Sequence, residues 1–354
     1  MDKQKGLNYL LESRFKTLLS NENVTDISYN GVDVFLTNNI TGREKSNIDI
    51  SQQEARDFIR QIANICEKQF SFSHPYLDVS IDKYRINATH QSIGRVHDEE
   101  ALTFCIRITS NRIRVKEDSE FFTPPLIELF DILLYSHCSI VIGGVPGCGK
   151  TEFQKYLLSR LSKDQKVIAI DNILELEGVR NYVGYDFGSW QYDEQNKEAS
   201  INLLVKQALR NNPDWLVVAE ARGKEMNEIL NSALTGVPII TTVHAFDADS
   251  IPTRMCRMAM MSSDTLDYDS LLQDINYHFH FFVHMKKVTD RKGNIKRYIA
   301  SIVAVDRYGN HQTIYKNDLK HKDYCPINKT CLAYLSYDDG YPDFIEAFIG
   351  EKHE

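Results

Sequence analysis

The sequence predicts an α/β protein: a larger C-terminal domain built on a mostly parallel sheet, preceded by a smaller α+β domain. Three observations carry that prediction. From Leu126 onward, runs of about five apolar residues alternate with amphipathic helical patterns, the rhythm of a parallel sheet covered on both faces. The N-terminal part instead mixes short helical and hairpin patterns. Between the two, Thr123-Pro124-Pro125 interrupts regular structure.

Element by element, Leu7–Leu19 carries Leu10, Leu11, Phe15, Leu18 and Leu19 at helical spacing. Val24–Tyr29 and Val32–Leu36 flank Asn30-Gly31, a strong hairpin signal. A second helix is expected over Ser51–Glu67, and strand-like segments over Leu77–Ala88 and Leu102–Thr109. The smaller domain therefore spans 1–112, with a linker or hinge over 113–125 and the larger domain over 126–354. In the latter, strands are expected at 139–142, 166–170, 215–219 and 238–243. Helices are expected at 153–161, 200–209 and 226–234, the last stopped by Gly236. Residues 276–354 read as β-rich, with loops at Asp290–Asn294 and Asp306–Asn310.

Composition bounds the function. The chain has 354 residues, 42% hydrophobic and 25% charged, which excludes collagen-like and disordered classes. Its 41 basic and 49 acidic residues leave a net charge of −8, which disfavours a whole-surface grip on nucleic acid and leaves room for a local basic patch. The apolar stretch Leu126–Gly144 is broken by Glu128, Asp131 and His137, so no membrane span is expected. Met1-Asp2-Lys3-Gln4-Lys5 leads into polar sequence with no export signal. Seven cysteines, an odd number spread along the chain, read as reduced thiols. A cytoplasmic protein is expected.

The strongest motif is Gly144-Val145-Pro146-Gly147-Cys148-Gly149-Lys150-Thr151, which satisfies G-x-x-x-x-G-K-[ST] between a predicted strand and a predicted helix. Glycines let backbone N–H groups turn inward around phosphate oxygens, and the helix N-terminus adds positive partial charge. Lys150 is expected on the β- and γ-phosphates, and the Thr151 hydroxyl on Mg²⁺. Cys148 reads as a small filler rather than a redox switch.

Phosphoryl transfer also needs a carboxylate for the metal and one to orient water. Two strand ends offer them: Asp171, followed by Glu175 and Glu177, and the run Trp215–Ala219 ending in Glu220. Ligands of parallel sheets bind beyond the carboxyl ends of strands, which sets Glu220 beside the phosphate loop. A third strand ends in His244, placed to sense the γ-phosphate.

In this order the motifs resemble the secretion ATPases of type II and type IV secretion systems, pilus assembly and conjugation. The resemblance rests on the phosphate loop, an aspartate box over Asp171–Glu177, a Walker B run from Leu209-Arg210 through Glu220-Ala221-Arg222-Gly223, and a histidine box Thr241-Thr242-Val243-His244-Ala245. Val24–Ile27, Asn30-Gly31, Arg85-Ile86-Asn87 and Ile106-Arg107 resemble the family's N-terminal domain, and Phe282–His284 with Asp290–Gly293 its C-terminal region. The likeness covers nearly the whole chain and is strongest to the single-sensor-domain branch of conjugation and tight-adherence pili.

The resemblance implies a RecA-like C-terminal domain, a PAS-like N-terminal domain, and a homohexamer that hydrolyses Mg²⁺-ATP. It implies work with inner-membrane components of a secretion, pilus or conjugation apparatus, at the cytoplasmic face of the membrane and without sequence-specific nucleic-acid binding. Glu175 then activates water, Glu220 is the Walker B acid and a Mg²⁺ partner with Thr151, and His244 is the histidine-box residue. Arg210 falls where the family has a phosphate-facing arginine. Arg85, Arg95 and Arg107 match N-terminal-domain arginines that reach the nucleotide, so that hydrolysis is coupled to domain closure.

The chain departs from the family's pattern in three places. Asp171-Asn172 stands where the family writes Glu-Asp, Ala219 where it usually has Gly, and no four-cysteine zinc insert is present. His278, His280 and His284 lie in an expected strand without ligands to complete a metal site. His321, Cys325 and Cys331 read as part of an irregular surface tail. Two other readings stay open at this level: an ATP-binding scaffold with weak turnover, motivated by Asn172, and a nucleic-acid translocase.

Overall fold

The computed structural model describes residues 3–110, 112–117, 121–193, 196–263, 265–291 and 293–350. It divides into two units, Met1–Asn111 with Val288–Lys296, and Arg112–Lys287 with Arg297–Glu354.

The first unit opens with α1 (Lys3–Glu12) and α2 (Lys16–Leu19), where one helix was expected. The break falls at Ser13, whose hydroxyl bonds back to the Leu10 carbonyl at 2.6 Å and competes with the helical ladder. Strands β1 (Val24–Tyr29) and β2 (Val34–Asn38) pair antiparallel across a loop in which the Asn30 side chain accepts from Val32 and Asp33 N–H. β3 (Gly42–Lys45) follows, then α3 (Gln52–Ile65), β4 (Tyr76–Ile81) and β5 (Tyr84–Thr89). A short ribbon of β6 (Arg95–Val96) and β7 (Glu99–Glu100) leads to β8 (Thr103–Ile108). The six-stranded sheet has the order β3-β2-β1-β8-β5-β4.

Ser51 starts α3 through a reciprocal capping box with Glu54, which satisfies two otherwise orphaned N–H groups. Alternation then decides the faces. Ile27, Ile86 and Ile106 turn inward and are fully buried with Ile59 and Ile62 of α3. Asp26, Arg85 and Arg107 turn to the opposite face.

The second unit carries a mixed sheet in the order β11-β10-β12-β13-β9-β14-β15-β16-β17. In chain order these strands are β9 (Ile140–Gly144), β10 (Lys166–Asp171), β11 (Asp186–Gln191), β12 (Trp215–Val218), β13 (Ile239–Val243), β14 (Phe281–Thr289), β15 (Ile295–Val305), β16 (His311–Asn317) and β17 (Lys322–Tyr324). The pairs from β11 to β14 are parallel, whereas β15–β16 and β16–β17 are antiparallel. Helices are α4 (Pro124–Tyr135), α5 (Lys150–Arg160), α6 (Ile201–Arg210), α7 (Met226–Ala233), α8 (Ile251–Met260) and α9 (Tyr268–His278). Two apolar cores flank the sheet: Phe153, Trp215 and Val217 belong to one, Leu216, Val218 and Ile229 to the other. That alternation along β12 is why its four residues are all apolar.

Four expectations need correction. The stretch 113–125 is not a free hinge, although 118–120 lie outside the described residues, as does 111 just before it. Ile113, Val115, Phe121 and Phe122 are buried in the core that holds α5, and the Phe122 ring stacks on Tyr156 at 4.0 Å. Pro124 and Pro125 do not interrupt structure but begin α4, where a missing N–H costs nothing. Of the residues read as a surface tail, His321 and Cys325 are exposed, but Cys331 is fully buried, as are Phe344 and Phe348 after it. His278 closes a helix rather than lying in a strand. Lys292, in the loop expected at Asp290–Asn294, is outside the described residues. Among the described residues no helix is long and apolar enough to cross a membrane.

Candidate active site

β9 delivers the glycine-rich loop and α5 leaves it. Gly144, Gly147 and Gly149 have φ of 154°, 74° and 99°, conformations that side-chain-bearing residues rarely adopt. At Gly144 space also decides: an added Cβ would lie 2.5 Å from the Met285 carbonyl oxygen and 2.6 Å from Cys148 Sγ. Lys150 folds back into the loop, its Nζ donating to the Gly144 carbonyl at 2.9 Å and the Val145 carbonyl at 3.4 Å. Burial lowers the pKa of this ammonium, against the raising influence of Cys148 and Glu220. A desolvated cation of this kind gains by meeting an anion. Cys148 is fully buried and burial pushes its thiol up, which fits the filler reading. Thr151 lies in the first turn of α5 and is partly buried.

Three strand ends converge on the lysine. His244, just past β13, places Nδ1 3.2 Å from Lys150 Nζ and 3.2 Å from the Gly144 carbonyl. Its Nε2 lies 2.7 Å from Glu220 Oε1. Arg222 donates to the other oxygen, Glu220 Oε2, at 2.6 Å. A continuous chain Arg222–Glu220–His244–Lys150 thus runs across the carboxyl ends of β12, β13 and β9. β13 lies between β12 and β9, so His244 at its end stands between Glu220 and the loop, while the Glu220 charge also acts on Lys150.

Asp171 ends β10 and is only 2% exposed. Its carboxylate accepts from the N–H groups of Ile173 and Leu176, each at 3.2 Å. Burial pushes its pKa up, partly offset by those backbone donors. It shapes the turn, with Leu174 at φ 55°, that launches the 3₁₀ segment Glu175–Tyr182. That segment packs against α5, with Leu176 and Val179 buried in the same core as Phe153. Glu175 is therefore carried on an element that rests on α5, the helix that leaves the glycine-rich loop.

Arg210 is the one expected residue of this unit that falls elsewhere. It ends α6 and precedes β12, so it sits at the amino ends of the strands while Glu220 sits at the carboxyl ends. Four strand residues, at about 3.3 Å each, separate the two edges. Its Nη1 donates to Gln207 Oε1 at 3.3 Å on the exposed surface.

In the other unit, Arg85 and Arg107 are direct cross-strand neighbours on β5 and β8, and Arg107 also faces Asp26 of β1. Like charges placed opposite repel, and each guanidinium is held by its own carboxylate. Arg85 binds Asp78 through two hydrogen bonds of 3.0 and 2.7 Å, and Arg107 binds Asp26 at 3.2 Å. Arg95 stands apart in the β6–β7 ribbon, donating to the Gln91 and Gly94 carbonyls.

A model of the family described as type II/IV secretion system protein matches residues 96–288, more than half of the chain. The chain belongs to this family. An uncharacterized protein of Bacillus anthracis is 30% identical over 291 residues, covering 79% of this chain and 64% of its own length. The type IV secretion system protein VirB11 of Brucella suis is 30% identical over 156 residues, 41% of this chain and 43% of that protein. The chain thus spans less than two thirds of these relatives. Among solved structures, the Legionella pneumophila ATPase DotB superposes with a TM-score of 0.61 at 19% identity, over 83% of this chain and 80% of that one. The likeness to DotB is one of fold.

Within this secretion-family chain two residues escaped the sequence reading. Arg222 was visible in the Walker B run but carries no motif signal of its own. Arg297 follows the loop by nearly the length of a domain, yet its Nε donates to the Gly147 carbonyl at 2.9 Å. No spacing rule links them, because strand pairing alone brings the hairpin back to β9.

Proposed function

We propose that this protein is a Mg²⁺-dependent ATP hydrolase acting as a motor of a type IV, conjugation-like, or type II, tight-adherence-like secretion or pilus system. The observation that carries the reading is the chain Arg222–Glu220–His244–Lys150 at the mouth of a glycine loop. Lys150, freed from the Gly144 and Val145 carbonyls, would hold the β- and γ-phosphates, while inward backbone N–H groups cradle the rest. His244, between that lysine and Glu220, registers whether the lysine faces a phosphate or the loop. Glu175 orients the attacking water.

Among the described residues no group of three or more His, Cys, Asp or Glu side chains forms a ready metal cage. One hydroxyl and one carboxylate, Thr151 and Glu220, fit Mg²⁺, which keeps waters and arrives with phosphate oxygens. When bound, the ion neutralises charge on the transferring phosphoryl group.

The reading includes a RecA-like catalytic domain, a PAS-like N-terminal domain and a homohexamer at the cytoplasmic face of the membrane, docked on inner-membrane components. The adjacent Arg85 and Arg107 support a role for the N-terminal domain in neutralising phosphate, coupled to its closure; Arg95 is a third candidate. Arg210, at the far strand edge, is left to a neighbouring copy. Phosphate release under saturating Mg²⁺-ATP tests the proposal: turnover should vanish in Lys150→Ala, and turnover indifferent to that change refutes it. The Asp171 carboxylate, satisfied by backbone, and Asn172 beside it favour one second reading, an ATP-gated scaffold. Tight ATP binding without turnover in the parent protein would select it.

A further inference from the structure

Two cations reach the phosphate loop from outside every motif. Lys287, in β14, puts its Nζ 3.5 Å from where a side chain on Gly147 would begin. Arg297, in β15, donates through Nε to the Gly147 carbonyl at 2.9 Å, and its Cδ lies 3.5 Å from the corresponding point on Gly149. Cys148 and Glu152 also face its guanidinium, as does the like charge of Arg114, and burial lowers its pKa. Glu152 is engaged as well, accepting from Lys155 Nζ at 2.9 Å and from Arg114 N–H at 3.0 Å. The guanidinium is therefore partly desolvated and seated on the loop's outer wall.

A trans peptide fixes what this contact does. The Gly147 carbonyl and the Cys148 N–H belong to one planar unit and point in opposite directions. Holding the carbonyl outward on Arg297 turns the Cys148 N–H inward, where it donates to the Val145 carbonyl over a long 3.3 Å. That same carbonyl is shared with Lys150 at 3.4 Å. An entering phosphate would take both donors from Val145, and Arg297 keeps the second one aimed.

We propose that Arg297 is a positioning residue of the phosphate loop: it anchors the Gly147 carbonyl so that the Cys148 N–H is presented to the phosphates of the nucleotide. The inference rests on the nucleotide-binding reading above. Because the N–H groups of such loops cradle the α- and β-phosphates, the effect is common to ATP and ADP.

The test measures KM and kcat for Mg²⁺-ATP and the Kd of a fluorescent ADP analogue in the full-length parent and in Arg297→Ala and Arg297→Lys. Thermal melting without nucleotide checks that each is folded. The Ala variant should raise ATP KM and ADP Kd in parallel by about tenfold, the scale of one charge-assisted hydrogen bond, with a smaller change in kcat. The Lys variant, which keeps a donor, should recover to within about threefold of the parent. Loss of stability with unchanged nucleotide affinity, or an ATP loss without an ADP loss, overturns the proposal. Should Ala not fold, Lys and Arg297→Gln decide it: Gln must weaken ATP and ADP more than Lys does, and equal affinities overturn the assignment. A parent that binds neither nucleotide refutes the nucleotide-binding reading itself.

Discussion

Replacing Glu220 by Gln removes one charge and almost no volume, so stability and catalysis can be separated at this position. The carboxylate is 20% exposed, and its partner Arg222 is 49% exposed at 2.6 Å. A pair that open to water contributes about 0–1 kcal/mol, and the amide retains an oxygen facing His244. The expected cost to folding is therefore about 1 kcal/mol, or about 2–4 °C in Tm for a unit of this size. Catalysis is another matter. A carboxylate that holds the metal or water in the transition state is worth about 10²–10⁴ in rate, about 3–5 kcal/mol. Phosphate release at saturating Mg²⁺-ATP should fall by at least about a hundredfold, while fluorescent-nucleotide affinity stays within a few-fold of the parent. Turnover within threefold of the parent, in a protein that still binds ATP, would refute the assignment of Glu220 to the reacting centre.

Three further outcomes are expected. Gly144→Ala and Gly236→Ala both place a side chain at positive φ, but only the first meets backbone, at 2.5 Å, whereas nothing lies within 4 Å of the second. Urea denaturation should show a loss of about 1–2 kcal/mol for Gly236→Ala and a clearly larger one for Gly144→Ala. Phe122→Ala, which removes the ring stacked on Tyr156, should cost about 3–5 kcal/mol in the same assay; a loss under 1 kcal/mol would restore the hinge reading of 113–125. His280 is partly buried, with its Nδ1 enclosed and lacking a hydrogen-bond partner, and burial, with His278 adding to it, lowers its pKa to about 4. The unfolded imidazole takes up its proton near pH 6.5 and the folded one only near 4. Stability should therefore fall by about 3 kcal/mol as pH drops through that window. His280→Asn should flatten the slope between pH 6.5 and 4.5 in denaturant midpoints.

The glycine-rich loop was legible because its geometry is local: three glycines and a lysine within eight residues specify a turn and a helix start. Strand and helix positions in the second unit followed from periodicity, which depends only on neighbours in the chain. Spatial order did not follow. That β13 enters between β12 and β9 is a property of strand pairing, and it turns His244 from an accessory at a strand end into the link between Glu220 and Lys150. Arg297 was invisible for the same reason, since its partner is a backbone carbonyl that no residue type announces. Edge strand β11, with Gly188 and Trp190 at half-exposed positions, lacks the apolar run that marks its buried neighbours. The paired prolines misled because proline ends a helix from within but begins one at its first turn.

The tip of the β14–β15 hairpin, Val288–Lys296, belongs to the first unit, where the Ile295 N–H donates to the Ile40 carbonyl at 2.9 Å. That unit is therefore discontinuous in the gene. A fragment ending at residue 111 would leave the Ile40 carbonyl to solvent and lose a stitch at the edge of its sheet. Recombination that exchanged the leading module between paralogues by a single crossover would separate two stretches that must fit each other. Chimaeras of such chains should tolerate such swaps only when the distant tip travels with the front half.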